Sequence, residues 1–242
     1  MKVFALTGKR GGYDAMHPML LAMQEDPFFD LTVVYTDMHL SAAFGMTGQK
    51  IAEDFPNSIP IPLPSYGSSK RFRMVAIAEF QKEWTMSLTF HKPDLVLLYG
   101  DRAEVLSAAL VASQCGIAIA HLQGGDTSGT VDNITRGAVS KLADLHYVSC
   151  KQSADRLKLQ DERVGRIAVV GDNHIDPIIK GLYDQPSTIQ KEIGIIEGTS
   201  GIILLHPETP SDGENEYLMS KVCAAADFLD NLIIIYPCSD PG

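Results

Sequence analysis

Short apolar runs alternate with longer amphipathic stretches along almost the whole chain, and this alternation limits what it can fold into. The clearest run is Leu95–Tyr99, between Asp94 and Gly100, which is typical of a strand buried on both faces. Strands that are separated by helices form right-handed βαβ units, so they run in one direction in a sheet covered by helices. The pattern therefore predicts an α/β chain with Rossmann-like, doubly wound parallel sheets.

The predicted elements cover most of the sequence, with one long exception. We predict strands at 2–7, 31–35, 94–100, 117–121, 145–149, 166–170, 201–206 and 231–236. Helices are predicted at 13–24, 73–90, 103–114, 132–143, 151–159, 172–182 and 213–229. Residues 37–69 are rich in Pro, Gly and Ser, so we expect no helix there and at most an edge strand.

Two domains are predicted from this order of elements. Residues 1–171 form an N-terminal Rossmann-like domain that carries the candidate catalytic carboxylates, and 172–242 hold a linking helix and the start of a C-terminal nucleotide-binding domain. A β-α-β fragment of roughly 60 residues is smaller than most domains, so we expect the second domain to be incomplete. The alternative is a small domain that packs against the first.

Composition excludes several classes of function. The formal net charge of -10, without a stripe of Lys and Arg, argues against a nucleic-acid partner. We find no signal sequence and no stretch apolar enough to span a membrane, so no membrane partner is expected. The cysteines are scattered without a C-x-x-C pair, which fits a reducing cytoplasm and argues against a disulfide framework or a zinc site.

The stretch 121–136 concentrates titratable and hydrogen-bonding groups directly after a predicted strand. It contains several glycines and hydroxyls, and its two carboxylates are Asp126 and Asp132. We expect Asp132 to cap the helix that follows. The carboxyl ends of parallel strands are where open α/β sheets bind ligands, so the stretch predicts a functional site. The alternative is a surface loop that merely caps its helix.

Further polar side chains end other predicted strands. Asp101 follows the strand 94–100, and His206 ends the strand 201–206. We expect Asp101 to meet the carboxylates of Asp126 and Asp132 at one rim, because carboxylates in different environments provide a general acid and a general base. Asp101 could instead cap its helix, and His206 could be structural.

The first turn, Gly8–Gly12, favours an anion. It places Lys9 and Arg10 beside a helix N-terminus, which suits a phosphate group. It matches neither the dinucleotide fingerprint G-x-G-x-x-G nor the P-loop motif, so we expect no nicotinamide cofactor. Two Rossmann-like units with a phosphate-ready turn indicate an enzyme that acts on nucleotide sugars, and we expect it to need neither cofactor nor metal.

Five motifs in this order resemble those of the hydrolysing UDP-N-acetylglucosamine 2-epimerases, which have a two-domain fold of the glycosyltransferase-B type. The resemblance covers essentially the whole chain. The motifs are Thr7-Gly-Lys-Arg10, Thr36-Asp-Met-His39-Leu-Ser with Phe44-Gly45, Gly100-Asp-Arg-Ala-Glu104, His121-x-x-Gly-Gly-Asp126-x-Ser-Gly-x-x-Asp132-Asn-x-x-Arg136 and His206-Pro-Glu-Thr209.

The resemblance implies a reaction and a state of assembly. The substrate would be UDP-N-acetylglucosamine or a diacetamido UDP-sugar, from which UDP leaves C1 by elimination across C1–C2. Water then adds to the 2-acetamidoglucal to give N-acetylmannosamine or its analogue, used in making sialic-acid-like sugars. The resemblance also implies a cytoplasmic homo-oligomer, either a dimer or a tetramer.

Single residues gain roles from the positions that they match. Asp101 and Asp132 match acid/base candidates of the family, and Arg136 matches an arginine that orients Asp132 and contacts substrate. Gln123 stands where many members have a glutamate, and an amide cannot take up a proton. We therefore expect Gln123 to bind substrate, while Asp126, which matches another acidic position, takes over more of the catalysis.

Three further positions complete the predicted site. Arg10 and His206 match residues that meet the diphosphate, with His206 also a catalytic candidate, and Ser239 begins a turn that resembles the family's substrate-binding turn after 231–236. Two alternatives remain open: a non-hydrolysing epimerase that returns UDP-N-acetylmannosamine, and a truncated chain that binds partners without turnover. With an incomplete second domain, the 242 residues alone are expected to bind UDP weakly and release no sugar.

Overall fold

The chain divides into two units, Met1–Asp176 and Pro177–Gly242. The structure is a computed structural model, and it describes residues 1–64, 70–129, 131–160, 164–204 and 214–238. The strands are β1 (Lys2–Thr7), β2 (Asp30–Tyr35), β3 (Ile59–Pro60), β4 (Leu95–Tyr99), β5 (Ala118–Leu122), β6 (Leu145–Val148), β7 (Ile167–Val169), β8 (Ser200–Ile203) and β9 (Asn231–Ile234). The α-helices are α1 (Arg10–Glu25), α2 (Gly48–Asp54), α3 (Lys70–His91), α4 (Ala103–Gln114), α5 (Val131–Leu142), α6 (Lys151–Leu159), α7 (Ile175–Ile179), α8 (Pro186–Glu192) and α9 (Glu214–Ala225).

The first unit is built on one parallel sheet with the strand order β3-β2-β1-β4-β5-β6-β7. Val3 of β1 lies opposite Leu31 on one side and Leu95 on the other, and all neighbouring strands run in the same direction. The chain moves outward from β1 to β3, then returns to the middle and moves the other way from β4. The predicted doubly wound α/β fold is confirmed.

Apolar side chains alternate across the sheet and fill two cores, one on each face. Phe4 and Leu6 of β1 point to the face covered by α3, where Trp84 is fully buried and its ring nitrogen donates to the carbonyl of Ala108 at 3.3 Å. Val3 and its alternating neighbours face the other side, under α1 and α2. Each fully buried large apolar side chain contributes about 1.5–3 kcal/mol, so both faces hold the strands in place.

Three expectations about secondary structure were wrong. The segment 37–69 contains the helix α2, which forms because Gly48–Asp54 ends before Pro56 and buries Ile51. The predicted helix 172–182 shrinks to Ile175–Ile179. Helix α8, which the predicted elements do not include, begins at Pro186, because proline is favoured at the first helical position. The edge strand β3 fits the limit that the prolines set.

The second unit contains a separate two-stranded parallel sheet of β8 and β9. The side chain of Asn231 holds the segment before β8, since it donates to the carbonyl of Ile196 and accepts from its N–H, both at 2.9 Å. Asp230 accepts from the N–H of Thr199 at 2.7 Å. Among the residues that the structure describes, no helix has both the length and the apolar character needed to cross a membrane.

Candidate active site

Most of the predicted site residues lie where the strands of the first unit end. The strand order reverses between β1 and β4, and ligands of open α/β sheets bind beside such a reversal. A crevice lies at this point, and its polar lining comes from the turns after β1 and β4. It is lined in part by Gly8, Lys9, Gly12, Tyr99 and Arg102.

The turn after β1 leads directly into α1. Lys9 precedes the helix in an extended conformation without capping it through its side chain, so the first N–H groups of α1 suit an anion. Arg10 is the first helical residue, is half-buried and interacts electrostatically with Asp14 one turn later. A Cβ at Gly8 would lie 2.6 Å from the Glu104 carboxylate, so glycine is required for this close approach.

Asp101 and Arg136 form an ion pair at the end of β4. The guanidinium of Arg136 donates through Nη2 to the Asp101 carboxylate and through Nη1 to the backbone carbonyl of Asp126 at 3.1 Å. Both side chains of the pair are 13% exposed. Arg136 therefore joins the turn after β4 to the loop after β5.

A buried histidine, His121, contacts the backbone and the helix that carry the Asp101–Arg136 pair. His121, on β5, is fully buried, and its Nε2 donates to the carbonyl of Gly100 at 2.8 Å while the hydroxyl of Ser140 lies 3.0 Å from Nδ1. Burial lowers the pKa of His121 to about 4, so the ring is neutral at physiological pH. Because it connects the turn that carries Asp101 with the helix that carries Arg136, His121 fixes their spacing.

Asp126 is held by hydroxyl groups. Its carboxylate accepts from Ser149 at 3.1 Å and from Ser153, both near the start of α6. Asp101 and Asp126 are therefore linked indirectly, because Arg136 contacts the Asp101 carboxylate and the backbone carbonyl of Asp126. The carboxylate of Asp126 faces the two serines instead.

The expected capping role of Asp132 was wrong, because α5 already begins at Val131. Asp132 lies in the first turn of that helix, half-buried, where a negative charge is favoured by the helix dipole. It is four residues before Arg136, so the two side chains share one face of α5. This spacing places a second carboxylate on the helix face that carries the Asp101 partner.

Gln123 brings together residues that the sequence patterns did not reveal. Its φ of +59° is a left-handed conformation that costs a non-glycine residue about 1 kcal/mol. Its side-chain amide donates to Asp172 at 3.4 Å, and His174 donates to the same carboxylate oxygen through Nδ1 at 2.9 Å. Tyr99 places its hydroxyl 3.4 Å from His174 Nδ1. We call Tyr99, Gln123, Asp172 and His174 the histidine cluster.

Asp172 is the acceptor at the centre of the histidine cluster. Burial alone would raise the pKa of its carboxyl, but hydrogen bonds from the backbone and ring of His174 outweigh burial and lower that pKa. Burial raises the pKa of Tyr99, and the charges of Asp172 and Asp126 add to the effect, so the phenol keeps its proton. The position of Asp172 and His174 directly after the apolar strand β7 was the signal that could have identified them.

A second set of charged residues lies deeper at the same edge. Arg73 forms a two-pronged contact with Asp37 at 2.9 and 3.0 Å, and Arg102 donates to Asp37 at 2.7 Å. Glu104, which is fully buried, accepts from both arginines. We call these four residues the buried ion network. Since Arg73 and its partners are 31 and 36 residues apart, no local pattern predicts it.

Two predicted residues, His206 and Ser239, lie outside the residues that the structure describes. Within the described ranges, no group of three His, Cys, Asp or Glu side chains is arranged to hold a metal ion. The expectation that the reaction needs no metal remains a prediction.

Comparison with known proteins places this geometry in a family. The profile of the family described as UDP-N-acetylglucosamine 2-epimerase matches residues 21–242, which is nearly the whole chain. The chain belongs to the UDP-N-acetylglucosamine 2-epimerase family. The edge that carries Asp101 and Arg136 is therefore the candidate active site of an epimerase family member.

Two curated relatives match the full length of this epimerase family chain. A hydrolysing UDP-N,N'-diacetylbacillosamine 2-epimerase of Legionella pneumophila is 30% identical, and a UDP-N-acetylglucosamine 2-epimerase of Neisseria meningitidis is 25% identical. The matches cover 100% of this chain in both cases. The chain spans 65% and 64% of the length of these relatives.

Solved epimerase structures share the fold. The UDP-GlcNAc 2-epimerase of Methanocaldococcus jannaschii, in complex with UDP-GlcNAc and UDP, superimposes with a TM-score of 0.79 at 18% identity. The match covers 97% of this chain and 65% of that one. At this identity the similarity establishes the α/β fold of the epimerase family.

Proposed function

We propose that this chain is a hydrolysing 2-epimerase of UDP-N-acetylglucosamine or of a diacetamido UDP-sugar. UDP leaves C1 as the C2 proton is removed, and water then adds to the 2-acetamidoglucal to give N-acetylmannosamine or its analogue. The observation that carries the proposal is the Asp101–Arg136 ion pair at the carboxyl end of β4, in a chain of the epimerase family.

The Asp101–Arg136 pair suits removal of a weakly acidic proton. A carboxylate can act as a general base, and the Arg136 guanidinium places a positive charge beside that of Asp101. The pair is partly open, with 13% of each side chain exposed, so a ligand can reach it. Asp132, one turn before Arg136, is proposed to assist Asp101 as an acid/base group on the same side of the sugar, and Asp126 is proposed as a further catalytic carboxylate.

Departure of UDP requires positive groups near the diphosphate. We propose that Arg10 and the first N–H groups of α1 bind it, because charge that develops in the transition state is stabilised most strongly by preorganised donors. Arg10 is held at the helix N-terminus, close to Asp14. His206 and Ser239 are proposed to contact the same group.

The hydrolysing branch is favoured by one of the two curated relatives. The Legionella relative is named as a hydrolysing enzyme that acts on a diacetamido sugar, and it matches this chain throughout. The Neisseria relative is named without that specification, so return of UDP-N-acetylmannosamine is the second candidate outcome. We further propose a cytoplasmic homo-oligomer, in line with the free cysteines of the described residues.

Product analysis distinguishes these reactions. The full-length protein would be incubated with UDP-N-acetylglucosamine and, separately, with the diacetamido UDP-sugar, while phosphorus NMR follows the diphosphate and proton NMR follows the sugar. We expect free UDP and the free 2-epimeric sugar in equal amounts. A 2-epimeric sugar still attached to UDP would indicate the non-hydrolysing reaction, and unchanged substrate would leave only a binding role.

A further inference from the structure

Inversion at C2 needs two proton-transferring groups, because the hydrogen leaves from one face of the sugar ring and returns to the other. Gln123 has a side-chain amide, which neither accepts nor releases a proton at neutral pH. Asp101 accepts from the Arg136 guanidinium, and Asp132 lies one turn before Arg136 on α5. This inference rests on the proposed function, and it asks which described group supplies the second proton transfer.

The histidine cluster provides such a group beside Gln123. The Asp172 carboxylate accepts from both the backbone N–H of His174, at 3.0 Å, and its ring Nδ1, at 2.9 Å. Since a carboxylate only accepts hydrogen bonds, Nδ1 carries the proton and the lone pair lies on Nε2. A base whose ring is oriented by a third group is the usual arrangement of a catalytic histidine.

The surroundings of His174 leave its ring accessible while holding its position. The side chain is 49% exposed, whereas Tyr99 beneath it is buried and meets the imidazole edge-on, with ring centroids 6.1 Å apart. The Gln123 amide donates to the Asp172 carboxylate that orients the ring. The cluster therefore combines a fixed Nδ1 with an imidazole ring that is about half exposed.

The cluster also lies at the edge where substrate is proposed to bind. Tyr99 ends β4 and Gln123 follows β5, the two strands that lead into the Asp101 turn and the Asp126 loop. Asp14 of α1 interacts electrostatically with His174 and with Arg10, which connects the cluster to the first turn. Within the part of the chain that the structure describes, the charged and titratable groups that interact with His174 are Asp172, Tyr99 and Asp14.

We propose that His174 is the second acid/base group of this enzyme, with Asp172 and Tyr99 as positioning residues. In elimination, one base takes the C2 proton, the C–H electron pair forms the C1–C2 double bond, and the C1–O pair leaves with UDP. In hydration, the C1–C2 π pair takes up a proton at the opposite face of C2 and a water oxygen bonds to C1. The proton that this water loses passes to the group that has just given up its own. His174 performs one of the two transfers at C2 through Nε2, and the Asp101 side performs the other.

The test is the His174→Gln variant of the full-length protein with UDP-N-acetylglucosamine as substrate. We expect kcat for formation of the 2-epimeric sugar to fall by about 10²-fold or more, with KM within about threefold. The pH dependence of kcat/KM should change as well, because a proton-transferring group is lost. If His174 delivers the proton in hydration, UDP is still released and 2-acetamidoglucal accumulates; if it removes the proton, UDP release stops. Both patterns support the proposal.

The matched control is His17→Gln. His17 is also partly exposed and lies 3.1 Å from a carboxylate, that of Asp54, but it lies two turns along α1 from Arg10. We expect its kcat within about twofold of wild type. Asp172→Asn serves as a second variant if His174→Gln melts early. It should change the pH dependence of kcat/KM, because the imidazole loses the carboxylate that orients it.

Two results would overturn the proposal. If kcat for sugar formation in the His174→Gln enzyme stays within threefold of wild type, the reaction does not need the imidazole. If kcat falls while the pH dependence of kcat/KM is unchanged, His174 has a structural role. The proposed function fails separately, when the wild-type protein produces neither UDP nor a 2-epimeric sugar. Wild-type turnover with a fully active His174→Gln variant rejects the second acid/base group alone.

Discussion

The buried ion network and the histidine cluster occupy the same edge of one sheet and use charge in opposite ways. In the network, every carboxylate oxygen of Asp37 and Glu104 accepts from a guanidinium, and Glu104 is fully buried. In the cluster, the Asp172–His174 pair is 39% and 49% exposed. A buried, saturated charge cannot exchange protons with a ligand, so the network supports the turns and the cluster is available for chemistry.

The Asp101–Arg136 pair lies between these extremes. It is an ion pair like those of the network, but both of its side chains are partly exposed. The second hydrogen bond of Arg136 goes to a backbone carbonyl and not to a carboxylate. The comparison therefore predicts that network substitutions reduce stability, whereas substitutions at the open groups reduce turnover. Two predictions test this division between stability and turnover, and a third tests the neutral state of the buried histidines.

The largest expected effect is on stability, from Glu104→Gln. Breaking a buried ion pair by removing one partner costs about 3–5 kcal/mol, because the remaining charge stays buried without compensation. Two arginines lose a carboxylate here. The free energy of unfolding would be measured by denaturant titration.

Glu83→Gln is the control for this measurement. Glu83 lies 3.9 Å from Lys82 and is 49% exposed, so we expect no measurable change in stability. If Glu104→Gln were as stable as this control, the network would not hold the edge together, and the contrast between the two regions would be lost.

The next largest effect is on catalysis, from Asp101→Asn. We expect kcat to fall by about 10²-fold or more, which corresponds to about 2.7 kcal/mol of activation free energy. Asparagine keeps the shape of the side chain, so the fold should persist. Asp132→Asn is expected to cause a loss of the same size, and both would be measured by UDP release at saturating substrate.

Asp144→Asn is the matched control for Asp101→Asn. Asp144 also pairs with an arginine, Arg166 at 3.3 Å, but it precedes β6 and so lies at the opposite edge of the sheet. We expect wild-type turnover from it. Near-wild-type rates for both Asp101→Asn and Asp132→Asn would remove these carboxylates from the mechanism.

The smallest predicted effect is the acid sensitivity of the buried histidines. Burial lowers the pKa of both His39 and His121 to about 4. Below about pH 6.5 these histidines therefore bind protons in the unfolded chain but stay neutral in the folded chain. Stability is therefore fully present above about pH 6.5 and falls as the pH drops towards 4. Each histidine contributes a loss of about 1.4 kcal/mol by pH 5.5.

A single substitution checks the sign and size of this effect. His39 lies between the hydroxyls of Thr7, at 3.0 Å, and Thr47, at 2.8 Å, and glutamine can replace those contacts. In His39→Gln, the loss of unfolding free energy between pH 7.5 and 5.5 should shrink by about 1.4 kcal/mol relative to wild type. An unchanged slope would contradict the assignment of a buried neutral ring.

The sequence predicted the parts of this molecule that depend on local pattern. Apolar runs identified the strands of the first unit, and the turn that ends the strand 94–100 identified Asp101, whereas Arg136 was identified by the family resemblance. Position on a parallel sheet explains this success, because carboxyl ends of strands meet at one edge whatever the loop sequences are.

The remaining features depend on contacts between distant segments. Tyr99 and His174 are 75 residues apart, and Arg73 and Asp37 are 36 residues apart. The local periodicity of the sequence therefore cannot predict either pair. Asp172 was included in a predicted helix, although its side chain folds back to the N–H of His174 before α7 begins. The short helix α2 was obscured by the prolines that follow it.

The most direct test of the central claim, that this edge carries out epimerisation at C2, is the reaction in deuterium oxide. Proton NMR would follow C2 of the sugar while phosphorus NMR follows UDP, with wild type and Asp101→Asn compared side by side. We predict a 2-epimeric free sugar that carries deuterium at C2, formed in step with UDP and lost in the variant. Release of UDP with a sugar that keeps its original configuration and its C2 hydrogen would contradict the claim, because it would indicate simple hydrolysis.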